Sequence, residues 1–163
     1  MKLIDLRVLR ALSARAASST RGRANHNLHL RLEDPVQRFL NAMEPGTYVR
    51  PHRHGPGRWE LFLALAGGAA VLCFVETGRV GERVENCARG PVLAVEVGEG
   101  SWHAVASLAP GTVLLELKPG PYVPASDKDF AAWAPAEGGC GAPEFAAWLL
   151  AAREGSLPPG RST

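Results

Sequence analysis

The 163-residue sequence is poor in the residue types that mark several common protein classes. It has only three cysteines, at positions 73, 87 and 140, and no CxxC pair, which argues against a disulfide framework. Its apolar runs are too short to span a membrane, and charged residues interrupt the N-terminal stretch where a secretory signal would be continuously apolar. We therefore expect a cytoplasmic protein without a membrane partner.

The signatures of several other functional classes are missing as well. The sequence has no GxSxG nucleophile elbow, no Walker A loop and no dinucleotide-binding fingerprint. Its formal net charge is only +2, and no aromatic residues interleave with the N-terminal arginines to stack on bases. We therefore expect neither nucleophilic catalysis nor a nucleic-acid partner.

Glycine and proline are abundant by contrast, with 18 and 13 residues. From residue 46 onward they separate apolar segments about every ten residues, which is typical of antiparallel hairpins in a barrel or sandwich. Segments 61–65 and 113–117 are apolar on both faces, so we expect a barrel wall covered outside by a helix or by a partner subunit. The pattern predicts an all-β fold with a single barrel.

Two helices are predicted, one near each end of the chain. Leucines at three-residue spacing predict an amphipathic helix over residues 3–17, and residues 144–153 predict a short second helix. The Asp34-Pro35 pair is followed by an expected strand, and the tail from residue 155 is expected to be disordered. We divide the chain into an N-terminal helix and loop, a β-barrel and a C-terminal extension, which are residues 1–24, 25–122 and 123–163.

Two histidines stand beside a predicted turn in the middle of the chain. His52 and His54 share one face if they lie on a strand, because residues i and i+2 point the same way. The glycine-proline turn at 55–57 reverses the chain, so Glu60 on the next antiparallel strand is expected about 5 Å from the pair. His103 follows another glycine turn and would come from a later strand. Three imidazoles and one carboxylate suit one divalent transition metal with positions left open for water or substrate, and Fe, Mn, Ni, Zn and Cu all accept such ligands.

These residues resemble the first motif of the cupin superfamily, G(x)5HxH(x)3–4E(x)6G. The matching residues are Gly46, His52, His54, Glu60 and Gly67. Five residues rather than three or four separate the second histidine from the glutamate, and the extra residue lies in a turn where insertions are tolerated.

The second cupin motif, G(x)5PxG(x)2H(x)3N, is matched by Gly100 and His103, whereas Gly98 and Ser107 replace the usual proline and asparagine. The resemblance implies a double-stranded β-helix (jelly-roll) barrel that holds a metal on His52, His54, Glu60 and His103.

Longer stretches are similar to the WbuC family of cupin-fold metalloproteins, whose genes often lie among bacterial O-antigen polysaccharide genes. The stretches that carry this likeness are residues 23–29, 34–42, 45–54, 59–62, 120–122 and 127–137. The resemblance implies the same four metal ligands and a homodimer, but it names no substrate.

Five further residues are candidates for substrate binding. Tyr48 and Arg50 lie at even spacing from His52 and would share its inward face on a regular strand, where Arg50 could bind a carboxylate or phosphate. A barrel-rim ion pair is the alternative. Asn25 and Asn27 belong to the family-like segment and are expected over the barrel mouth, with loop capping as the alternative. Arg38 has the same standing.

Other residues are assigned structural roles, with one exception. Trp59 and Trp102 each directly precede a ligand, so we expect them to point away from the metal into packing. The Asp-Lys-Asp run at 127–129 most simply forms a solvated turn. Glu116 is the exception, as a candidate second acid in the pocket, although a buried carboxylate needs a partner that the sequence does not identify.

Two classes of function are compatible with a metal in a small barrel. The first is a metal-dependent isomerase or epimerase acting on a small polar molecule, such as a sugar or sugar nucleotide in surface-polysaccharide (O-antigen) synthesis, with the metal as Lewis acid. An iron-dependent dioxygenase is the other enzyme of this class. The sugar link comes only from the family resemblance. The second class is a non-catalytic module that binds a small ligand in the same pocket.

Overall fold

The computed structural model describes residues 1–123 and 127–160 as two facing antiparallel β-sheets with a helix before and a helix after them. In chain order the elements are α1 (Leu6–Ser18), β1 (Arg23–Asn27), β2 (Val36–Met43), β3 (His52–Arg53), β4 (Glu60–Ala66), β5 (Gly68–Phe74), β6 (Val80–Cys87), β7 (Ala94–Val97), β8 (Trp102–Ser107), β9 (Thr112–Pro119), β10 (Asp129–Phe130) and α2 (Ala142–Ala151). The first sheet has the order β1-β2-β9-β4-β7, and the second has the order β10-β3-β8-β5-β6. This confirms the predicted all-β barrel with a helix near each end.

The N-terminal helix begins three residues later than the leucine spacing predicts. The Asp5 carboxylate accepts hydrogen bonds from the backbone N–H groups of Arg7 and Val8, at 3.0 and 3.1 Å, and so caps a helix that starts at Leu6. Leu3 therefore lies outside the helix and is exposed. The predicted strand after Asp34-Pro35 is present as β2.

Strands that are apolar on both faces are covered on both faces, as predicted. The outer face of the first sheet packs against α1, where Leu9 and Leu12 meet Leu40 and Val113. The outer face of the second sheet packs against α2, with Phe145 and other apolar residues of the helix buried there. Both helices thus act as covers, and the interior between the sheets is left to hold the site.

The turn between β4 and β5 requires a glycine. Gly67 has φ +62°, and a Cβ at this position would lie 2.9 Å from the Cα of Thr112 on the adjacent strand. The glycine that ends the first cupin-like motif is therefore needed for close approach of two backbones.

The C-terminal segment returns to the barrel. The backbone N–H of Gly155 donates to the Val80 carbonyl at 2.8 Å, and the Val80 N–H donates to the Ser156 carbonyl at 2.9 Å. The expectation of disorder from residue 155 is therefore wrong for residues 155–160, because backbone pairing with β6 orders them. Residues 161–163 lie outside the described part. Neither described helix has the length and apolarity that crossing a bilayer requires.

Candidate metal centre

Four polar side chains converge between the two sheets. One nitrogen or oxygen atom from each of His52, His54, Glu60 and His103 lies within 4.8 Å of the corresponding atoms of the other three. None of these residues is more than 4% exposed. Polar side chains buried this deeply need partners, and a shared ion is the arrangement that would satisfy all four.

The route by which these residues meet differs from a simple hairpin. His52 on β3 is paired directly with His103 on β8 in the second sheet, and His54 follows β3. Glu60 begins β4, which pairs with β7 and β9 in the first sheet. The expectation that Glu60 is a cross-strand neighbour of the histidine pair is therefore wrong. Its carboxylate reaches them across the barrel interior.

Backbone carbonyls orient all three imidazoles. The Nδ1 atoms of His52 and His103 lie 2.9 Å from the carbonyl oxygens of Arg50 and Ser101, and His54 Nδ1 contacts the carbonyl of Asp127. A carbonyl oxygen only accepts hydrogen bonds, so each Nδ1 carries the proton. Each ring then directs its Nε2 into the cluster, and Nε2 is the atom through which a histidine oriented in this way binds a metal.

The carboxylate of Glu60 faces the Nε2 atoms of two of these histidines. Its Oε1 lies 3.0 Å from Nε2 of His54 and its Oε2 lies 3.0 Å from Nε2 of His103. Without an ion, each contact is favourable only if Nε2 carries a proton, and a divalent cation between the two groups would take the place of that proton. His52 Nε2, His54 Nε2 and Glu60 Oε1 also have no hydrogen-bond partner among the described residues. The donor set therefore fits a divalent cation.

The electrostatics of the cluster favour the protonation states that a metal needs. Burial, reinforced by Lys128 and His103, holds the pKa of His52 well below its ordinary value, so the ring is neutral. Burial opposes ionisation of Glu60, but His103, His54 and Lys118 outweigh it and hold the Glu60 pKa well below its usual range. A neutral imidazole and an ionised carboxylate result.

A buried ion-pair layer lies behind the ligands. Lys118 Nζ is 2.9 Å from Asp127 Oδ2 and 3.3 Å from Glu60 Oε1. Although burial disfavours the charged amine, the charges of Glu60 and Asp127 raise the Lys118 pKa. Asp127 is 2% exposed, so the predicted solvated turn is wrong at this residue. Its carboxylate binds Lys118, and its carbonyl orients His54, which lies 73 residues earlier in the chain.

A cavity of about 390 Å³ opens beside the cluster, within the range typical of small-molecule sites. His52 and Glu60 form part of its lining, together with inward-facing residues of β1, β2, β4 and β9. The substrate-binding candidates Arg50, Asn25 and Asn27 also line it. Arg50 is already engaged, because its guanidinium donates to the Ala131 carbonyl at 2.7 and 3.2 Å.

Two of the candidates lie elsewhere. Residues 47–51 do not form a regular strand, so the even spacing from His52 does not bring Tyr48 to the cavity. The Tyr48 hydroxyl donates to the Pro135 carbonyl at 2.8 Å, and its ring packs on Phe145. Arg38 alternates with the cavity-lining Gln37 and Phe39 on β2, so it faces outward.

The two tryptophans that precede ligands were expected to pack away from the metal. Trp102 does so, since it is buried in the core under α2 and its Nε1 donates to Glu76 at 3.0 Å. The Arg53 guanidinium lies 4.3 Å from its ring centre. Trp59 is half-buried.

Lys118 was not assigned to the site from the sequence, although a signal was present, whereas Glu116 was expected there as a second acid. Glu116 and Lys118 are two residues apart on β9, a strand otherwise apolar on both faces. Polar residues with a period of two in a strand covered on both sides must share a face, and here that face lines the cavity. Asn41 on β2 lines the cavity as well, and its Nδ2 supplies the partner for Glu116 that the sequence left unidentified, at 3.3 Å.

Comparisons with known proteins bear on both the fold and the family. A family model described as Domain of unknown function (DUF6016) matches residues 4–85. Among curated proteins, no sequence matches this chain.

Three solved structures illustrate the structural likeness. The capsular polysaccharide assembling protein CapF from Staphylococcus aureus has a TM-score of 0.55 and 20% identity, over 69% of this chain and 30% of that one. Oxalate oxidase in complex with the substrate analogue glycolate has a TM-score of 0.53 and 14% identity, over 70% and 57%. KdgF from Halomonas sp. has a TM-score of 0.50 and 15% identity, over 65% and 85%.

The chain thus spans about a third of the length of CapF and little more than half of oxalate oxidase. At these identities the likeness shows the fold alone, which is a cupin-type jelly-roll barrel, as the sequence motifs imply.

Proposed function

We propose that this chain, which belongs to the family described as Domain of unknown function (DUF6016), is a metal-dependent enzyme that acts on a small polar molecule. The observation that carries the proposal is the convergence of His52, His54, Glu60 and His103, with unpartnered buried atoms, beside a cavity of small-molecule size. A bound divalent transition metal would supply Lewis-acid chemistry there, polarising a substrate oxygen.

The chain's own residues prepare the site for such a role. Backbone carbonyls hold the three imidazoles in one tautomer and one orientation, which lowers the cost of assembling the ligands. Lys118 and Asp127 form a buried ion pair beside Glu60 and keep its carboxylate in place. With four protein ligands, an ion that prefers five or six partners keeps positions open for a substrate oxygen.

For the substrate we propose a sugar or sugar nucleotide of surface-polysaccharide synthesis. Two observations support this choice: the resemblance of several stretches to the WbuC family, and the structural likeness to a capsular polysaccharide assembling protein. Isomerisation or epimerisation is the reaction class that a Lewis acid without a visible nucleophile favours. A homodimer and a cytoplasmic location remain predictions.

Metal loading combined with product detection tests the proposal. The protein is loaded separately with Fe(II), Mn(II), Ni(II), Zn(II) and Cu(II), the bound metal is quantified, and each form is incubated with neutral sugars and nucleotide sugars. Products are followed by NMR. We expect one metal form to convert at least one substrate. His103→Ala should lose both metal and turnover, whereas the matched control His26→Ala, which removes an exposed histidine of β1, should retain both.

Two outcomes would contradict parts of this proposal. Equal metal content in wild type and in the His103→Ala variant would contradict the proposed metal centre. Metal-dependent ligand binding with no product after long incubation would contradict the proposed enzymatic activity and support a non-catalytic binding module.

A further inference from the structure

One wall of the cavity carries neutral polar side chains rather than charged ones. We call Asn25 and Asn27 of β1, Asn41 of β2 and Glu116 of β9 the amide wall. All four line the cavity. Asn25 is paired in register with Asn41, so their side chains lie on adjacent strands of one sheet face. The amide wall extends from the strands beside the metal centre to the exposed edge strand β1.

Glu116 is the most deeply buried member of this wall. It is in register with Phe39 on one side and with Phe62 on the other, so two phenyl-bearing residues flank its carboxyl group. Only 7% of the residue is exposed. Burial, with the charge of Glu60 adding to it, raises the pKa of Glu116 to about 8. At neutral pH the group is therefore a carboxylic acid, which both donates and accepts hydrogen bonds.

The amide wall has unused hydrogen-bonding capacity. Asn41 donates through Nδ2 to Glu116 at 3.3 Å, but its buried Oδ1 has no partner among the described residues. The side chains of Asn25 and Asn27 are exposed along the cavity and form no hydrogen bond within the described part of the chain. Leaving a buried acceptor unpaired costs free energy, so a ligand that supplies the missing donor binds more tightly.

The chemistry of the wall selects one class of ligand group. Amide and carboxylic acid groups carry no net charge, and each offers a donor and an acceptor on neighbouring atoms. A hydroxyl group is complementary to this arrangement, because it donates and accepts at one oxygen. An anionic ligand gains no ion pair from the wall itself, and Lys118 is already neutralised by Asp127 and Glu60. The cavity's cations without an ion pair among the described residues, Arg50 and Lys128, are not part of the wall. Phe39 and Phe62 add apolar surface between the polar groups.

We propose that the amide wall binds adjacent hydroxyl groups of an uncharged polyhydroxylated ring, while another oxygen of the same molecule reaches the metal centre. Glu116 is the specificity-determining residue, because it belongs to the amide wall and lies on the strand next to that of Glu60 in the metal centre. This inference rests on the proposed function and narrows its substrate class to neutral sugar rings or the neutral sugar part of a larger molecule. A site built to hydrogen-bond hydroxyls discriminates strongly against compounds that lack them.

Binding to metal-loaded protein tests the inference. The probes are D-glucose, D-mannose and myo-inositol as neutral polyols and oxalate as a small dianion, measured by calorimetry and by ligand-observed NMR at up to millimolar concentration. The variants are Glu116→Leu, which removes hydrogen bonding, Glu116→Gln, which retains a donor and an acceptor, and Asn41→Leu. Glu96→Leu on β7 is the matched control, because Glu96 is an exposed glutamate of the same sheet.

We expect at least one neutral polyol to bind wild type, and we expect oxalate, which coordinates the metal alone, to bind wild type and the wall variants equally. Glu116→Leu and Asn41→Leu should each weaken the Kd of the polyol about tenfold, the loss expected for one buried hydrogen bond. Glu116→Gln and Glu96→Leu should stay within about threefold of wild type. Asn41→Leu keeps the test decisive if Glu116→Leu does not fold.

Three results would overturn the inference: no binding by any of the neutral probes, an unchanged polyol Kd in Glu116→Leu and Asn41→Leu, or an equal loss of affinity for oxalate and for the polyols in these variants. The bound metal is quantified in every sample. Normal metal content with unaffected polyol binding in the variants would reject the amide wall alone, whereas absence of metal from wild type would reject the metal centre.

Discussion

The metal centre and the amide wall, at the two ends of the cavity, differ in how their side chains are held. At the metal centre, every histidine is buried and held by a backbone carbonyl, so each ring has one orientation. At the amide wall, Asn25 and Asn27 are exposed and their side chains are unpartnered within the described residues. Groups that perform chemistry need fixed geometry, whereas groups that recognise a ligand need free hydrogen-bonding capacity. In this barrel interior the metal ligands are enclosed and held in place, whereas the asparagines of β1 stay open to a ligand.

Charge separates the two ends as well. Buried charges surround the metal centre, where Lys118 joins Glu60 to Asp127. The amide wall is neutral, because burial keeps Glu116 protonated at neutral pH. Four experiments test this difference between the metal centre and the amide wall.

The largest effect on stability is expected from Lys118→Met. Methionine retains the length of the side chain but removes the ammonium group that pairs with the buried carboxylates of Glu60 and Asp127, and it leaves Asp127 only Arg58, at 3.7 Å. Removing one partner of a buried ion pair typically costs about 3–5 kcal/mol in the free energy of unfolding. Urea denaturation measures the loss. Lys128→Met is the control, since Lys128 is half-buried and forms no ion pair with any described residue. Equal stability of the two variants would refute the ion-pair layer.

Metal binding should stabilise the folded protein through the metal centre and not through the amide wall. A ligand at about one hundred times its Kd raises the free energy of unfolding by about 2.7 kcal/mol when it binds only the folded state. The Tm of wild type should therefore rise on addition of the preferred metal and fall on chelation. Glu60→Gln should abolish this shift, whereas Glu116→Gln should retain it. A metal-dependent Tm shift that survives in Glu60→Gln would contradict the assigned ligand set.

The neutral carboxyl of Glu116 predicts a pH dependence in the opposite direction from that of an ordinary carboxylate. Its pKa is raised from 4.5 to about 8 in the folded protein, so the unfolded chain releases the proton first as the pH rises. Stability from this group is complete below about pH 4.5 and is lost by about pH 8. In chelated protein, Glu116→Gln should therefore gain Tm over wild type between pH 5 and pH 8, by about 2–4 °C for each kcal/mol removed. Glu96→Gln should show no such trend, and parallel pH profiles of wild type and Glu116→Gln would contradict a raised pKa.

The smallest effect on stability is expected from Asn27→Ala. The side chain is exposed and forms no hydrogen bond within the described part, so its loss should change the free energy of unfolding by less than about 0.5 kcal/mol. Polyol binding should weaken nevertheless. Chemical denaturation and calorimetry on the same sample separate the two effects. A destabilisation above about 1 kcal/mol would mean that Asn27 supports the fold and is not held free for a ligand.

Much of the site could be read from the sequence because the ligands stand in short motifs with a recognisable spacing. The HxH pair, the glycine turns and the later His103 identify residue types that the structure brings together at one point. The polar pair Glu116 and Lys118 in an apolar strand also carried a readable signal. The helix start at Leu6 was missed by three residues, because the Asp5 cap outweighs the leucine periodicity.

Spacing along the chain was enough to predict the alternation of strands and turns, the two covering helices and the four candidate ligands. Three features arise from tertiary packing instead: Glu60 faces the histidines from the opposite sheet, Asp127 is buried against Lys118, and Tyr48 points away from the cavity. Those outcomes depend on which strands become neighbours, and strand pairing is set by contacts between residues far apart in sequence.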